Sequence, residues 1–279
     1  RNLSIAGISR ENIENGPSID PETGAPPAGS NDFGLRGYNL FWTDPGSTLA
    51  RVEGEFRTSY ITSPESGSIP FLGNPKYDLK RPQFGARYVT GVADASGPEA
   101  IPIAERCLIG FGNTAGPGMM GTLYNSSYQF VQTDDYLMIM VEMVHDTRII
   151  PLFDSEEEAS KNHRPSTLNQ WLGDSVGWYE ESTLVVETIN INKLQMSQSP
   201  IPISPNGRII ERFPRSSTDE IVYQFTVEDA DLYREAWTAE LSFYPLEGRI
   251  YEYACHEGNY SMPGILAGAR RAEKEQSTN

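Results

Sequence analysis

The feature that most constrains the fold is a series of short strand-like runs that begins after Tyr124. Each run is rich in β-branched and aromatic residues, and turn-forming residues separate it from the next run. Helical periodicity is almost absent between the runs, so the predicted connections are turns. The predicted strands cover residues 128–133, 136–145, 147–152, 176–180, 183–190, 208–214, 220–227, 238–244 and 249–256.

Strands this closely spaced favour an antiparallel meander that closes into a barrel or a sandwich, in a mainly β fold. Polar turns at 133–135, 180–182 and 246–248 fit hairpin connections. The best helix prediction covers 261–274, near the end of the chain. Residues 124–279 are therefore predicted to form the β body with a short C-terminal helix.

The region before residue 124 gives weaker patterns. Residues 15–32 are rich in Pro, Gly, Ser and Asp, so 1–32 is predicted to be an extended N-terminal arm or linker. Residues 33–123 read as an irregular region packed on the barrel, with short strands at 49–55 and 58–61 and a short helix within 99–107. The glycine-rich stretch 110–121 lacks a Walker lysine, which favours a flexible lid or a packed crossing loop over a phosphate site.

The charge of the chain limits its partners. It has 38 acidic and 22 basic residues and a formal net charge of −16, which repels nucleic acids and anionic lipid surfaces. A basic protein partner is compatible with this charge. Because no apolar run reaches about 18 residues, no transmembrane segment is predicted.

Cys107 and Cys255 are the two cysteines, and they are far apart and outside any CxxC pair. They form either a disulfide, which would place the protein outside the cytoplasm, or two buried free thiols. Residues 1–31 contain neither an apolar leader segment nor an initiator Met. We therefore expect the chain to begin after a processing point or at an experimental boundary.

Two groups of residues are candidates for acid–base catalysis. In a regular strand over 136–152, Glu142, Asp146 and Arg148 share one face and His145 points to the other. Glu142 or Asp146 is then a general acid or base and Arg148 holds an anionic group of a ligand. The structural alternative is a salt bridge on that face, with His145 as a hydrogen-bond donor.

The second group is Glu252 and His256, which share a face if 249–256 is a strand. Glu252 then orients the imidazole as a base, whereas the structural alternative is a cross-strand hydrogen bond. The chain has three histidines in no recognisable metal-binding spacing. Neither a metal site nor a cofactor is predicted.

Trp171, Trp178 and Trp237 are candidates to line an apolar ligand pocket inside a small barrel. Core packing explains the same residues equally well. Ser175 lies in a GDSVG sequence without a strand-to-helix context or a partner histidine, which argues against a serine hydrolase.

Several segments together resemble a widespread family of uncharacterised secreted bacterial proteins, common in acidobacteria and proteobacteria. The resemblance covers about residues 38–274 and is strongest in YQFVQT (128–133), EMVHDTRIIP (142–151), WLGDS (171–175) and ACHEGNY (254–260). It implies an exported protein with a lipocalin-like β body, and it favours a Cys107–Cys255 disulfide because both cysteines lie where the family has them. It implies no particular reaction.

The chain departs from the family pattern in its charged residues. Where the family usually reads GDSRGRWEGD, residues 173–182 read GDSVGWYEES, and the family's DGR turn is replaced at 153–157. We therefore expect a non-catalytic periplasmic or extracellular binding or assembly protein. An accessory subunit of a membrane-attached electron-transfer or photosynthetic complex is one form, and an apolar small molecule is another candidate ligand. The alternative is a periplasmic hydrolase, lyase or isomerase that uses a His/Glu pair.

Overall fold

The computed structural model describes residues 49–73, 76, 95–122, 124–168, 170–196 and 201–277. The predicted arm at 1–32 and much of the predicted 33–123 region lie outside these residues. The strands are β1 (Arg51–Val52), β2 (Glu55–Phe56), β3 (Ile61–Ser63), β4 (Tyr128–Gln132), β5 (Tyr136–Val141), β6 (Thr147–Phe153), β7 (Asp174–Glu180), β8 (Thr183–Ile189), β9 (Arg208–Phe213), β10 (Ile221–Glu228) and β11 (Trp237–Phe243).

Strands β3 to β11 form one nine-stranded sheet in the order β3-β11-β10-β9-β8-β7-β6-β5-β4, and β1 pairs with β2 separately. A strand is present at each predicted position between 128 and 244, which confirms the mainly β fold. The prediction for 249–256 is wrong, because these residues form no strand. The predicted helix at the chain end is confirmed as α3 (Ser261–Ser277). The helix predicted within 99–107 is reduced to a 3-10 turn at Pro98–Ala100, followed by further turns.

The meander is interrupted between β6 and β7, which pair in parallel. The connection between them contains the short helix α1 (Glu156–Lys161), which begins after Ser155. The Ser155 hydroxyl accepts a hydrogen bond from the Glu158 amide and so caps the helix. This crossover brings the chain back to the start of β7, so the predicted fully antiparallel order is wrong at this one step.

The sheet is not closed into a barrel. Its edges are β3 and β4, which are not paired with each other, and β3 has only three residues. The two ends of the sheet instead face each other through side chains. Phe130 of β4 lies 5.8 Å from Phe243 of β11 and 6.0 Å from Phe213 of β9, measured between ring centroids. The main core lies in the interior that this curvature encloses.

The glycine-rich loop fills this interior, so it is a packed loop rather than a flexible lid. Residues 113–119 are buried. The Met119 amide donates a 2.7 Å hydrogen bond to the Tyr223 hydroxyl, and the Asn113 side chain donates to the carbonyls of Pro117 and Gly118. The loop therefore occupies space that a lipocalin-like barrel would leave for a ligand.

Candidate functional site

Segments 142–151 and 171–175, two of those that carry the family resemblance, meet at one end of the sheet, where they contribute to a second, smaller core. Met143, Leu172 and Ile109 are buried in this core, and Trp171 and Tyr253 pack against it from the side. A further short helix, α2 (Lys193–Met196), supports the arrangement. Its buried Gln195 accepts a 2.8 Å hydrogen bond from the Leu172 amide and donates one to the Gly116 carbonyl. The motifs therefore build a packed structure at this point.

The β5–β6 hairpin breaks the regular strand on which the first acid–base prediction depends. A 3-10 turn occupies Met143–His145, and both Val144 and His145 have positive φ, at 59° and 54°. Positive φ is rare for a β-branched residue such as valine. The prediction that Glu142, Asp146 and Arg148 share one strand face is wrong because this turn separates them.

Glu142 and His145 hold the backbone of the C-terminal segment. The Tyr251 amide donates a 2.8 Å hydrogen bond to Glu142 Oε1. His145 Nε2 lies 3.3 Å from the Tyr253 amide nitrogen and 3.2 Å from the Tyr251 carbonyl oxygen. Glu142 is buried, and its carboxylate supplies the acceptor that the Tyr251 amide needs.

The C-terminal segment is fixed covalently as well. Cys107 and Cys255 form a disulfide, with 5.8 Å between their Cα atoms. The Asn259 side chain donates a 2.8 Å hydrogen bond to the Glu105 carbonyl. Glu252 and His256 are exposed and do not share a strand face, because the segment is not a strand. The expected pairing of these two residues is therefore wrong.

Asp146 has the most unusual acidity in this region. Its Oδ2 accepts a 2.6 Å hydrogen bond from the Gly110 amide. Burial raises the pKa of Asp146 to about 6, although that hydrogen bond and the nearby His145 act in the opposite direction. The carboxyl group therefore changes charge close to neutral pH, at the base of a turn with strained backbone.

Arg148 pairs with a residue that the sequence did not indicate. Its guanidinium forms two hydrogen bonds with Glu211, of 2.5 and 2.9 Å, in the interior of the sheet. The Tyr223 hydroxyl donates to the same carboxylate. Burial opposes the charged arginine, but Glu211 outweighs this and raises the pKa of Arg148. The expected ion pair of Arg148 with Glu142 or Asp146 is therefore wrong.

A further polar cluster lies on the outer face of β7 and β8, under α1. His163 Nδ1 is 2.8 Å from Asp174 Oδ2, and Nε2 is 2.9 Å from Glu187 Oε1. Arg208 completes the cluster by an ion pair with Glu187. Burial disfavours the imidazolium, but the hydrogen bonds to Asp174 and Glu187 outweigh it and raise the pKa of His163 to about 9.

His163 is therefore charged at neutral pH and does not act as a base. The two carboxylates bind opposite nitrogens of the ring, so they do not converge on one point where a metal ion could sit. The hydrogen bond from His163, with the contribution of Arg208, lowers the pKa of Glu187 to about 2. Sequence reasoning missed this cluster, although a glutamate inside the apolar run of β8 was a signal that it needs a buried partner.

A cleft of about 90 Å³ opens where β6 and β7 diverge. Their pairing is limited to Leu152 with Gly177 and Phe153 with Trp178, so the N-terminal ends of β6 and β7 are not paired with each other. Among the residues that line the cleft are Arg148, Pro151, Arg164, Trp171, Asp174 and Ser175. The structure therefore brings together two of the four predicted ligand-binding residues, Arg148 and Trp171.

The other two predicted residues lie elsewhere. Trp237 is fully buried in the main core, with its ring 5.7 Å from that of Phe225. Trp178 packs with Val176, Val185 and Ala159 of α1 in a third cluster. Core packing, the alternative left open for these aromatics, describes both residues.

Comparisons with models of protein families, with curated proteins and with solved structures find no match for this chain. The family resemblance thus rests on the sequence motifs and stays an expectation. Within the described part of the chain, no helix has the length and apolar character needed to cross a membrane.

Proposed function

We propose that this protein is a non-catalytic binding protein that works outside the cytoplasm as part of an assembly. The observation that carries the proposal is the use of Glu142 and His145 to hold the backbone of Tyr251 and Tyr253. These were the best acid–base candidates of the sequence. Their contacts are those of residues that fix a segment in place.

The packing of the interior supports a protein partner over a small organic ligand. The buried loop at 113–119 and the Arg148–Glu211 pair occupy the inside of the curled sheet. The β6–β7 cleft, at about 90 Å³, is smaller than the pockets of about 300 to 1,000 Å³ that ordinarily bind organic ligands. An apolar small molecule is therefore the weaker form of the proposal.

The disulfide supports the proposed location. Disulfides persist in oxidising compartments and are rare in the cytoplasm, so Cys107–Cys255 fits a periplasmic or extracellular protein. An accessory subunit of a membrane-attached complex, in electron transfer or photosynthesis, is one concrete form. In this form the partner is another protein, and the exposed carboxylates that attract it are described below.

Native copurification tests the proposal. The tagged protein is isolated from cells of its source after mild crosslinking, and the size of the recovered particle is measured by native mass spectrometry. We expect a stoichiometric complex with another protein. A strictly monomeric protein, in both crosslinked membranes and soluble fractions, would contradict the proposal.

The alternative is an enzyme, and one observation favours it. Asp146 has a pKa of about 6 and lies beside a turn with strained backbone, as general acids often do. This alternative predicts that the purified protein hydrolyses members of a panel of chromogenic esters and glycosides. It also predicts that Asp146→Asn, which keeps an acceptor for the Gly110 amide, abolishes that activity without lowering the melting temperature.

A further inference from the structure

The outer face of β4, β5 and β6 is apolar and open to solvent. Inward-pointing residues such as Leu137, Ile139 and Ile150 are buried in the core, so the residues that alternate with them point outward. Strand register places Met138 between Val131 and Ile149, and Tyr136 beside Pro151. We call this surface the apolar outer patch, and it consists of Val131, Tyr136, Met138, Met140, Ile149 and Pro151.

The patch is exposed to a degree that requires an explanation. Val131, Tyr136 and Ile149 are 43%, 51% and 57% exposed. The other outward positions on these strands are Gln129, Thr147 and Phe153, of which Phe153 packs under α1, so no charged side chain of these strands interrupts the face. Contiguous exposed apolar surface of this kind usually marks an interaction site.

On other strands of the sheet, the outer face is covered or carries charged residues. On β7 and β8, α1 covers the outward-pointing Val176, Trp178 and Val185. On β9, Ile210 packs against that cluster, and the outward Arg208 and Arg212 on either side of it form ion pairs with glutamates. An apolar and open face is therefore a feature of β4–β6, whereas the outward positions of β10 and β11 include Gln224, Thr226, Thr238 and Glu240.

One end of the patch is bordered by carboxylates, which we call the acidic rim. The Leu152 amide donates a 2.8 Å hydrogen bond to the Asp135 carbonyl, which places the β4–β5 turn beside the end of β6. Asp154 directly follows the last residue of β6, so it lies at the same end of the patch. The rim consists of three exposed residues: Asp134, Asp135 and Asp154.

We infer that the apolar outer patch and its acidic rim dock a basic partner protein, one whose apolar contact surface is flanked by Lys or Arg. The inference rests on the proposed function, because it names the kind of partner that the assembly requires. Apolar contact supplies affinity, and complementary charge selects the partner and orients it. The rim repels anionic membranes. The whole chain has a net charge of −16, so it also repels a second copy of itself.

Photo-crosslinking identifies the partner. A photoreactive phenylalanine analogue replaces Ile149 in the full chain, and this variant is expressed in cells of the source. In the control the same analogue replaces Gln224, on the outer face of β10. Mass spectrometry then maps the crosslinked peptide. We expect Ile149 to crosslink to a basic protein near Lys or Arg residues, and the Gln224 position to give no such product. Crosslinking of Ile149 to an acidic protein, to lipid or to a second copy overturns the inference.

Affinity for the purified partner tests the two parts of the surface. We expect Ile149→Lys, and separately the triple variant Asp134→Asn, Asp135→Asn and Asp154→Asn, to weaken binding about tenfold each. The control triple changes the net charge equally, at exposed carboxylates elsewhere: Asp219→Asn, Glu235→Gln and Glu247→Gln. It should leave the affinity within about twofold of wild type.

The outcomes separate this inference from the proposed function. If a partner binds but Ile149→Lys and the rim triple both keep wild-type affinity, the docking surface lies elsewhere and the proposed function stands. If the control triple weakens binding as much as the rim triple, only overall charge matters and the inference fails. If no partner is recovered from any position or by native copurification, both fail. Circular dichroism of each variant confirms that the fold is retained.

Discussion

Arg148 and Glu211 join two strands across the interior of the curled sheet, with Nη1 of Arg148 2.5 Å from Oε2 of Glu211 and both side chains almost completely buried. Removal of one partner leaves the other charge unpaired in an apolar core. We expect Glu211→Gln to lower the free energy of unfolding by about 3 to 5 kcal/mol, measured by urea denaturation.

The double variant Arg148→Met and Glu211→Leu distinguishes a true pair from two independent contributions. It removes both charges, so its cost should be much smaller than the sum of the single variants. Additive costs would show that the two side chains do not stabilise each other. Circular dichroism confirms that each variant is folded before the comparison.

His163 makes stability depend on pH in the alkaline range. Its pKa is raised from 6.5 to about 9, so the stabilisation is complete below pH 6.5 and is lost as the pH rises through 9. We expect His163→Gln to cost about 2 to 3 kcal/mol at pH 6, with a difference from wild type that shrinks towards pH 9.5. Urea midpoints from pH 6 to 9.5 measure this.

The exposed His256 supplies the control for that experiment. His256→Gln should follow the wild-type curve throughout the range. A His163→Gln difference that is constant with pH would show that the histidine stabilises the fold by packing and not by its charge.

Gly173 is required by its backbone and its surroundings. It has a φ of +75°, and an added Cβ would lie 2.7 Å from the Ile189 carbonyl oxygen. We expect Gly173→Ala to destabilise the protein by about 2 kcal/mol or more. Gly268→Ala is the matched control, because that helical glycine has open space around it and its replacement should stabilise by about 0.5 to 1 kcal/mol. Melting temperatures that shift in the same direction for both variants would contradict the argument.

The disulfide should stabilise the fold and fix the C-terminal segment. Replacing Cys107 and Cys255 by serine opens a loop of 148 residues in sequence separation. Chain entropy predicts a loss of about 4 to 5 kcal/mol, and hydrogen exchange at 251–260 should become faster. Reductant should destabilise wild type and leave the double variant unchanged. Unaltered exchange at 251–260 would show that Glu142 and His145 hold the segment without the covalent bond.

The β strands were predictable because each carries its pattern locally. β5 and β10, for example, are short runs of β-branched, aromatic and other apolar residues that end at turn-forming residues. Residues 249–256 have a similar composition but form no strand. Tyr253 packs against the second core, while Tyr251 and Glu252 are exposed. The segment is held by distant side chains, which a local pattern cannot reveal.

The polar clusters were harder to predict because their members are far apart in sequence. His163 binds residues that are 11 and 24 positions away, and Arg148 binds one that is 63 away. Glu187 follows an apolar run in β8, which signals a buried partner without identifying it. Glu211 stands beside Arg212 in β9, so the sequence does not show that it is buried. The turn at Val144 was not predicted, because positive φ usually occurs at glycine and this turn contains none.

The position of the two cysteines has a consequence for proteolysis. Every strand from β4 to β11 lies between Cys107 and Cys255 in the chain. A protease that cuts once in any turn of this interval therefore produces two fragments that remain one covalent molecule while the disulfide is intact. In an oxidising compartment that contains proteases, the nicked protein keeps its sheet strands tethered, and its fragments separate only after both cleavage and reduction.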